Sequence, residues 1–325
     1  MRLIFVYLPY SQNIEKEMIK TLYIIGNGFD KAHGLNSSYG DFKNWLRVER
    51  SALLNDMEDV WNCNSQLWCD FEKTLGEVDF EYVWKKFGKY NQDKLIQANI
   101  KLREFYPELP PNLTFHNLGE KLKPLVGEIR AAFNDWVLTL NQSLLEKRPL
   151  LSLNKDAFYI TFNYTETLER LYDIPSSSIL HIHGKANSEE ELLFGHGKSA
   201  GQIEYNIERL HLKRRHTVID DFAMWIGTLN KNVDYNLYRV SSILNKLSDV
   251  NRIYILGYSF SEIDSVYIDN IYYRTCQNHP HWFISWHNDD DKKRIQASGL
   301  KKETYTLINL LDIPSGNQEI IQIFV

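Results

Sequence analysis

The chain has 325 residues, of which 43% are hydrophobic and 24% charged, with a formal net charge of −5; that is enough to bury a sizeable core in one large domain or two modest ones. The acidic balance argues against a nucleic-acid partner, which would need a basic face, and no apolar run approaches the roughly 20 residues that cross a bilayer, so no membrane role is expected. Cys63, Cys69 and Cys276 form no Cys-x-x-Cys pair, a usage that suits a reducing cytoplasm.

In chain order, residues 1–20 read as an N-terminal extension: the apolar opening is short and no small-residue cleavage site follows it. The core begins with Thr21–Ile25, a β-prone run that passes into Gly26-Asn27-Gly28-Phe29-Asp30. A strand that ends in Gly-x-Gly is either a tight turn or a cradle whose backbone N–H groups grip a pyrophosphate. The third glycine of the dinucleotide fingerprint is replaced by Lys31. From about 38 to 148 the pattern is helical (39–55, 66–78, 80–103 and 115–146), broken by prolines and glycines. Further strands are predicted at 157–162, 179–182, 191–194, 252–257, 281–286 and 303–308, with helices at 204–215, 218–247, 261–276 and 289–297. This alternation predicts an α/β, Rossmann-like single domain over 21–325, with a mostly parallel sheet, helices on both faces and a large helical insertion after the first strand. The insertion is placed to act as a lid on the sheet's carboxyl edge or to pack a homo-oligomer.

Polar residues recur at predicted strand ends. Asn163 is either a helix cap or an amide that reaches a ribose hydroxyl or a water. His181 and His183 are a metal-binding pair, or a structural residue followed by a general base at the strand tip, or both structural. In 193–199 the Walker spacing fails, because Leu192 stands where glycine is required; a flexible loop is expected, with His196 as a second candidate base. Gly257 and Ser259 repeat the strand–glycine–polar theme, Ser261 is a candidate helix cap, and Asp264 falls in the next helix's first turn. Lys213–His216 reads as a solvated basic cluster or a phosphate contact. Of Asp70 and Glu72, two apart, only one can face a cleft, and the expectation is Asp70.

These motifs resemble the bacteriophage abortive infection proteins of the AbiH type. The matching pieces are Gly26-Asn27-Gly28-Phe29-Asp30 with His33-Gly34 and Ser38-Tyr39-x-Asp41-Phe42, then Trp68-x-Asp70-Phe71-Glu72, Phe162-Asn163-Tyr164-Thr165, His181-Ile182-His183-Gly184, Phe194-Gly195-x-Gly197, and Gly257-Tyr258-Ser259-x-Ser261-x-Ile263-Asp264, over about 21–290. More remotely they are similar to the SIR2-like group. That resemblance implies NAD as substrate or ligand, held by Gly26, Asn27, Gly28, Phe29, Asp30, Gly257, Ser259 and Asp264. It puts Asn163 on the nicotinamide ribose or the attacking water and His183 in the role of base, and it implies no metal. The four cysteines of a deacetylase zinc ribbon are absent, which disfavours deacetylation. The implied function is a cytoplasmic anti-phage effector that hydrolyses NAD to nicotinamide and ADP-ribose, answering to a phage trigger or a partner defence protein. A non-catalytic nucleotide-sensing module and a metal-dependent nucleotide hydrolase are the alternatives. On this reading His183 is less buried than His181, and Gly28→Val leaves a folded chain.

Overall fold

The computed structural model describes residues 19–61, 68, 70–80, 82–83, 118–186, 188, 192–209, 216–261 and 263–310. Residues 1–18, most of the predicted helix 80–103, Cys63, Cys69 and the basic residues 213–215 lie outside them.

Six parallel strands form one sheet in the order β3-β2-β1-β4-β5-β6: β1 Thr21–Ile25, β2 Phe158–Thr161, β3 Ile179–His181, β4 Arg252–Leu256, β5 His281–Trp286 and β6 Tyr305–Asn309. Strand order reverses between β1 and β4, so a crevice opens there at the carboxyl edge, the place where doubly wound sheets bind ligands. The central β1 is buried along its whole length, which explains its unbroken apolar sequence. Alternate residues load the two faces. Leu22, Ile24, Ile160, Ile253, Ile255 and Ile284 pack on one face beneath helices α9 (Val233–Leu244) and α10 (Ser265–Thr275). Tyr23, Tyr159 and Tyr254 face the other way, towards α1 (Asn27–Ala32) and α6 (Thr167–Tyr172). There Tyr159, Tyr23, Tyr254 and Phe283 stack across four neighbouring strands with ring centroids 4.8 Å apart, the interstrand spacing itself, and each pair contributes about 0.5–1.5 kcal/mol beyond its burial.

A third apolar cluster joins the helices between β1 and β2 to apolar residues between 186 and 229; those helices are α2 (Tyr39–Glu49), α3 (Ser51–Val60), α4 (Phe71–Leu75) and α5 (Leu118–Ser143). A capping box between Ser38 and Asp41 starts α2. The chain stops being helical at Arg50, which divides the predicted 39–55 helix in two. The predicted 218–247 helix is likewise divided, into α8 (His216–Gly227) and α9, by a turn ending at Asn232 with φ +43°. Preceding α8 is α7 (Ala200–Arg209), and α11 (Asp289–Ala297) begins at an Asn288–Asp291 capping box.

Residues 192–194 are not a strand. Leu193 N–H bonds to the His183 carbonyl, and Phe194 stacks on Phe133 of α5 at 4.3 Å, so the apolar run fills the helical layer rather than the sheet. The loop that follows is firmly held. Gly195 has φ +131° and a side chain there would overlap the Leu229 carbonyl, while His196 and Asn230 form a parallel bridge.

Candidate functional site

A cleft of about 1150 Å³ lies at the β1/β4 crevice and reaches up to the helical layer. Gly26, Asn27, Asp30, Asn163, His183, Ser259 and Asp264 all line it. Gly28, Phe29 and Gly257 do not, and packing explains why. Phe29 is fully buried against His33 and Tyr172. Gly28 and Gly257 meet backbone to backbone: a Cβ on Gly28 would stand 2.8 Å from Gly257 Cα, and one on Gly257 would overlap Phe29 N. A Cβ on Gly26 would come within 2.5 Å of Tyr258 Cα.

The turn's donors are committed within the protein. Gly26 N–H donates to Leu256 O at 2.9 Å, Gly28 N–H to Gly257 O at 2.8 Å, and Gly257 N–H to Ser285 Oγ at 2.8 Å. Positive φ belongs to Gly257 (+66°), whereas Gly26 is extended and Gly28 lies in α1. The glycines therefore let the first turn dock on the end of β4, and the N–H groups of Gly26, Gly28 and Gly257 are engaged elsewhere. Asn27 ties down the next loop through Ser37, and Ser259 is exposed at the rim.

Asn163 follows β2. Its Nδ2 donates to Gly26 O at 3.2 Å, which fixes the amide plane, while Oδ1 is buried without a hydrogen-bond partner. Such a buried orphan is uncommon. Beside it, Asp30 is 1% exposed and accepts from Thr165 and Thr167 at 2.6 and 2.7 Å. Burial pushes its carboxyl up from 3.8 to about 6, against the pull of those hydroxyls.

The two histidines turn to different partners. His181 lies 3.2 Å from the Asn163 carbonyl and 3.1 Å from Glu169 Oε1, a bracing role. His183 is not at a strand tip: β3 ends at His181, and the imidazole of His183 is 2% exposed, more buried than His181. Asn236 holds the Ile182 carbonyl at 2.6 Å, and Phe162, Tyr164 and Tyr267 surround the His183 ring. His183 Nε2 lies 3.2 Å from Asp264 Oδ1. The two are in charge contact, but the angle is not that of a hydrogen bond, and Nε2 has no hydrogen-bond partner. The Tyr258 hydroxyl, also on the cleft wall, is buried and unpartnered too.

Three residues complete the site. Lys231, 2% exposed, places Nζ 2.9 Å from Glu72 Oε1 and 3.2 Å from Asp264 Oδ1. Tyr39 donates to the same Glu72 oxygen at 2.6 Å. Burial opposes charge on Lys231, but the two carboxylates outweigh it and hold the ammonium well above its usual range. Burial likewise raises Asp264, yet Lys231 and His183 outweigh it and keep that carboxyl well below the usual range. Asp264 precedes α10 and exchanges hydrogen bonds with Ser261, so Ser261 orients the carboxylate instead of capping the helix. Asp70 and Glu72 both line the cleft, contrary to the expectation that only one would; Asp70 is exposed, whereas Glu72, from α4, is the one that reaches Lys231. Lys231 has no motif around it, and only the tertiary fold reveals its place. His196 is structural: Nε2 donates to Ile226 O at 2.9 Å and Nδ1 accepts from Lys198 N–H at 3.1 Å. Among the described residues no group of three or more His, Cys, Asp or Glu is placed to hold a metal ion, and no helix is long and apolar enough to cross a membrane.

Comparison with curated proteins and with solved structures gave no match. The family model described as bacteriophage abortive infection AbiH matches residues 22–286, which takes in five of the six strands and every residue of the cleft named above. The role that goes with that match is anti-phage abortive infection. On this coverage the chain belongs to the bacteriophage abortive infection AbiH family.

Proposed function

We propose that the protein binds NAD as substrate in the β1/β4 cleft and hydrolyses its N-glycosidic bond, so that abortive infection follows from loss of the dinucleotide. The observation that carries this reading is the buried Asn163 Oδ1, held in place through Gly26 and without a partner, in the same cleft as His183 and Asp264. An acceptor fixed in this way suits a ribose hydroxyl or a water. Its placement at the strand-order switch is that of dinucleotide sites in doubly wound sheets, and the resemblance to the SIR2-like group points the same way.

In the reaction the C1′–N bond breaks and its electron pair leaves with the nicotinamide nitrogen, which becomes neutral. Water adds to C1′, and its proton passes to His183 and then to solvent. The products are nicotinamide, ADP-ribose and a proton. Asn163 orients the ribose or the water, and His183, with Asp264 beside it, takes up the proton. Because the glycine N–H groups are engaged, the phosphates are assigned to polar side chains at the cleft mouth, the exposed Ser259 among them.

The test is to incubate the purified protein with NAD and follow nicotinamide and ADP-ribose. Release of both, lowered at least about 100-fold by His183→Gln and indifferent to a chelator, supports the reading. Tight binding without release supports a nucleotide-sensing module instead, and activity abolished by a chelator supports a metal-dependent nucleotide hydrolase.

A further inference from the structure

Of the acids that the helical layer contributes to the cleft, Asp70 and Glu77 are exposed and Glu72 is not, and its two oxygens differ. Oε1 receives both Tyr39 Oη–H and Lys231 Nζ, leaving Oε2 with no partner among the described residues. Lys231 is shared between Glu72 and Asp264, and Asp264 also has His183 Nε2 at 3.2 Å, so Glu72 holds only a share of one ammonium. The side chains of Glu72, Asp264 and Lys231 are 13%, 11% and 2% exposed, so the group is buried. The cleft's other cations are turned to their own partners: Lys198 to the Gly76 carbonyl and Glu77, and Arg294 to Asp291; Lys73 is exposed. A buried, uncompensated carboxylate is costly unless a cation completes it.

We infer that Glu72 is the carboxylate that meets the positive charge of the substrate's nicotinamide–ribose unit, and that the site therefore selects the oxidised dinucleotide over the reduced one. This rests on the NAD reading above and adds to it a residue and a specificity. The oxidised ring carries a formal positive charge and the reduced ring carries none, while the two ligands share phosphates, riboses and adenine. A carboxylate in a water-poor wall distinguishes them by charge alone. The same charge favours the oxocarbenium-like ribose that develops as the C1′–N bond breaks. Lys231 and Tyr39 act on Glu72 as positioning residues: both hold Oε1, so that Oε2 is presented to the cleft. The helical layer thereby contributes a group that the sheet lacks, and the site is complete only while α4 is docked.

The experiment titrates NAD and NADH into wild type, Glu72→Gln and Glu72→Asp, and measures nicotinamide release by each. Wild type is expected to bind NAD at least about tenfold more tightly than NADH. Glu72→Gln, which keeps the shape and can still accept from Tyr39 and Lys231, should bring that ratio close to one and slow release by about 100-fold with a smaller change in KM. Glu72→Asp keeps the charge and should keep the preference for NAD even if turnover falls. A Glu72→Gln protein that retains the wild-type ratio overturns the inference, and so does one that loses both ligands equally. If Glu72→Gln does not fold, loss of the preference in Glu72→Asp overturns it. A wild type that binds neither dinucleotide overturns the NAD reading itself, whereas one that cleaves NAD but binds both forms equally leaves that reading standing and removes this one.

Discussion

The glycine turn and the charged cluster border the same cleft, yet they are built on opposite principles. The N–H groups of Gly26, Gly28 and Gly257 each have a protein acceptor, and each missing Cβ is replaced by backbone. Around His183, Asn163 and Tyr258 the reverse holds: polar atoms are buried and lack partners, and Glu72 and Asp264 share one lysine. The motif that is most conspicuous in the sequence is thus the part with least left to offer a ligand. The residues with unmet hydrogen bonding come from distant segments and become visible only when the sheet edge and the helical layer close on each other.

That contrast is broken most severely at the turn. Gly28→Val would place a branched side chain into Gly257, so it is expected to cost about 4 kcal/mol or more and to leave little soluble protein. The sequence reading expected a folded variant that merely lost nucleotide. A soluble Gly28→Val protein with a wild-type melting curve would restore the cradle. In the cluster the comparable change is Lys231→Met, which leaves Glu72 and Asp264 buried without their shared cation and should cost about 3–5 kcal/mol by urea denaturation. Adding Glu72→Gln and Asp264→Asn to it should recover much of that loss. A Lys231→Met chain as stable as wild type would mean the two carboxylates do not depend on it.

Asp30 gives a gentler test of the same wall. Burial raises its folded value from 3.8 to about 6, so the fold favours its protonated form. Its contribution to stability is full below the unfolded value and is lost as pH rises through the folded one, a decline of roughly 3 kcal/mol. Asp30→Asn removes that titration. The stability of wild type relative to the variant should therefore fall by about this amount between pH 3.8 and just above 6, read from denaturant unfolding at each pH. Parallel curves would mean that Asp30 does not titrate in that window.

Much of the sheet was legible because parallel strands buried on both faces must read as short apolar runs, and 21–25 and 253–256 do so. The exception, 191–194, has the same composition but serves Phe133 in the helical layer, a tertiary choice that its own residues do not encode. Asn163, Asp264 and His183 were found because each follows a strand end or opens a helix. The burial of His183 was misread because β3 stops at His181, two residues before it, which removes the alternation on which the prediction rested. Lys231 left no trace in sequence: it falls inside the predicted 218–247 helix with no motif around it, and only its partners Glu72 and Asp264, far away along the chain, show that it is buried. Glu72 was seen as one of two options, and spacing alone could not choose it over Asp70.

The central claim is that the unpartnered groups of the cleft, rather than the glycine turn, receive the ligand. Calorimetric titration of NAD into wild type and Asn163→Ala tests it most directly. Oδ1 has no partner to lose within the protein, so removing the amide should cost about 1 kcal/mol of stability, chiefly through its bond to Gly26, and lower NAD affinity by about tenfold or more. Equal affinity in the two proteins, or no binding to wild type, would contradict it.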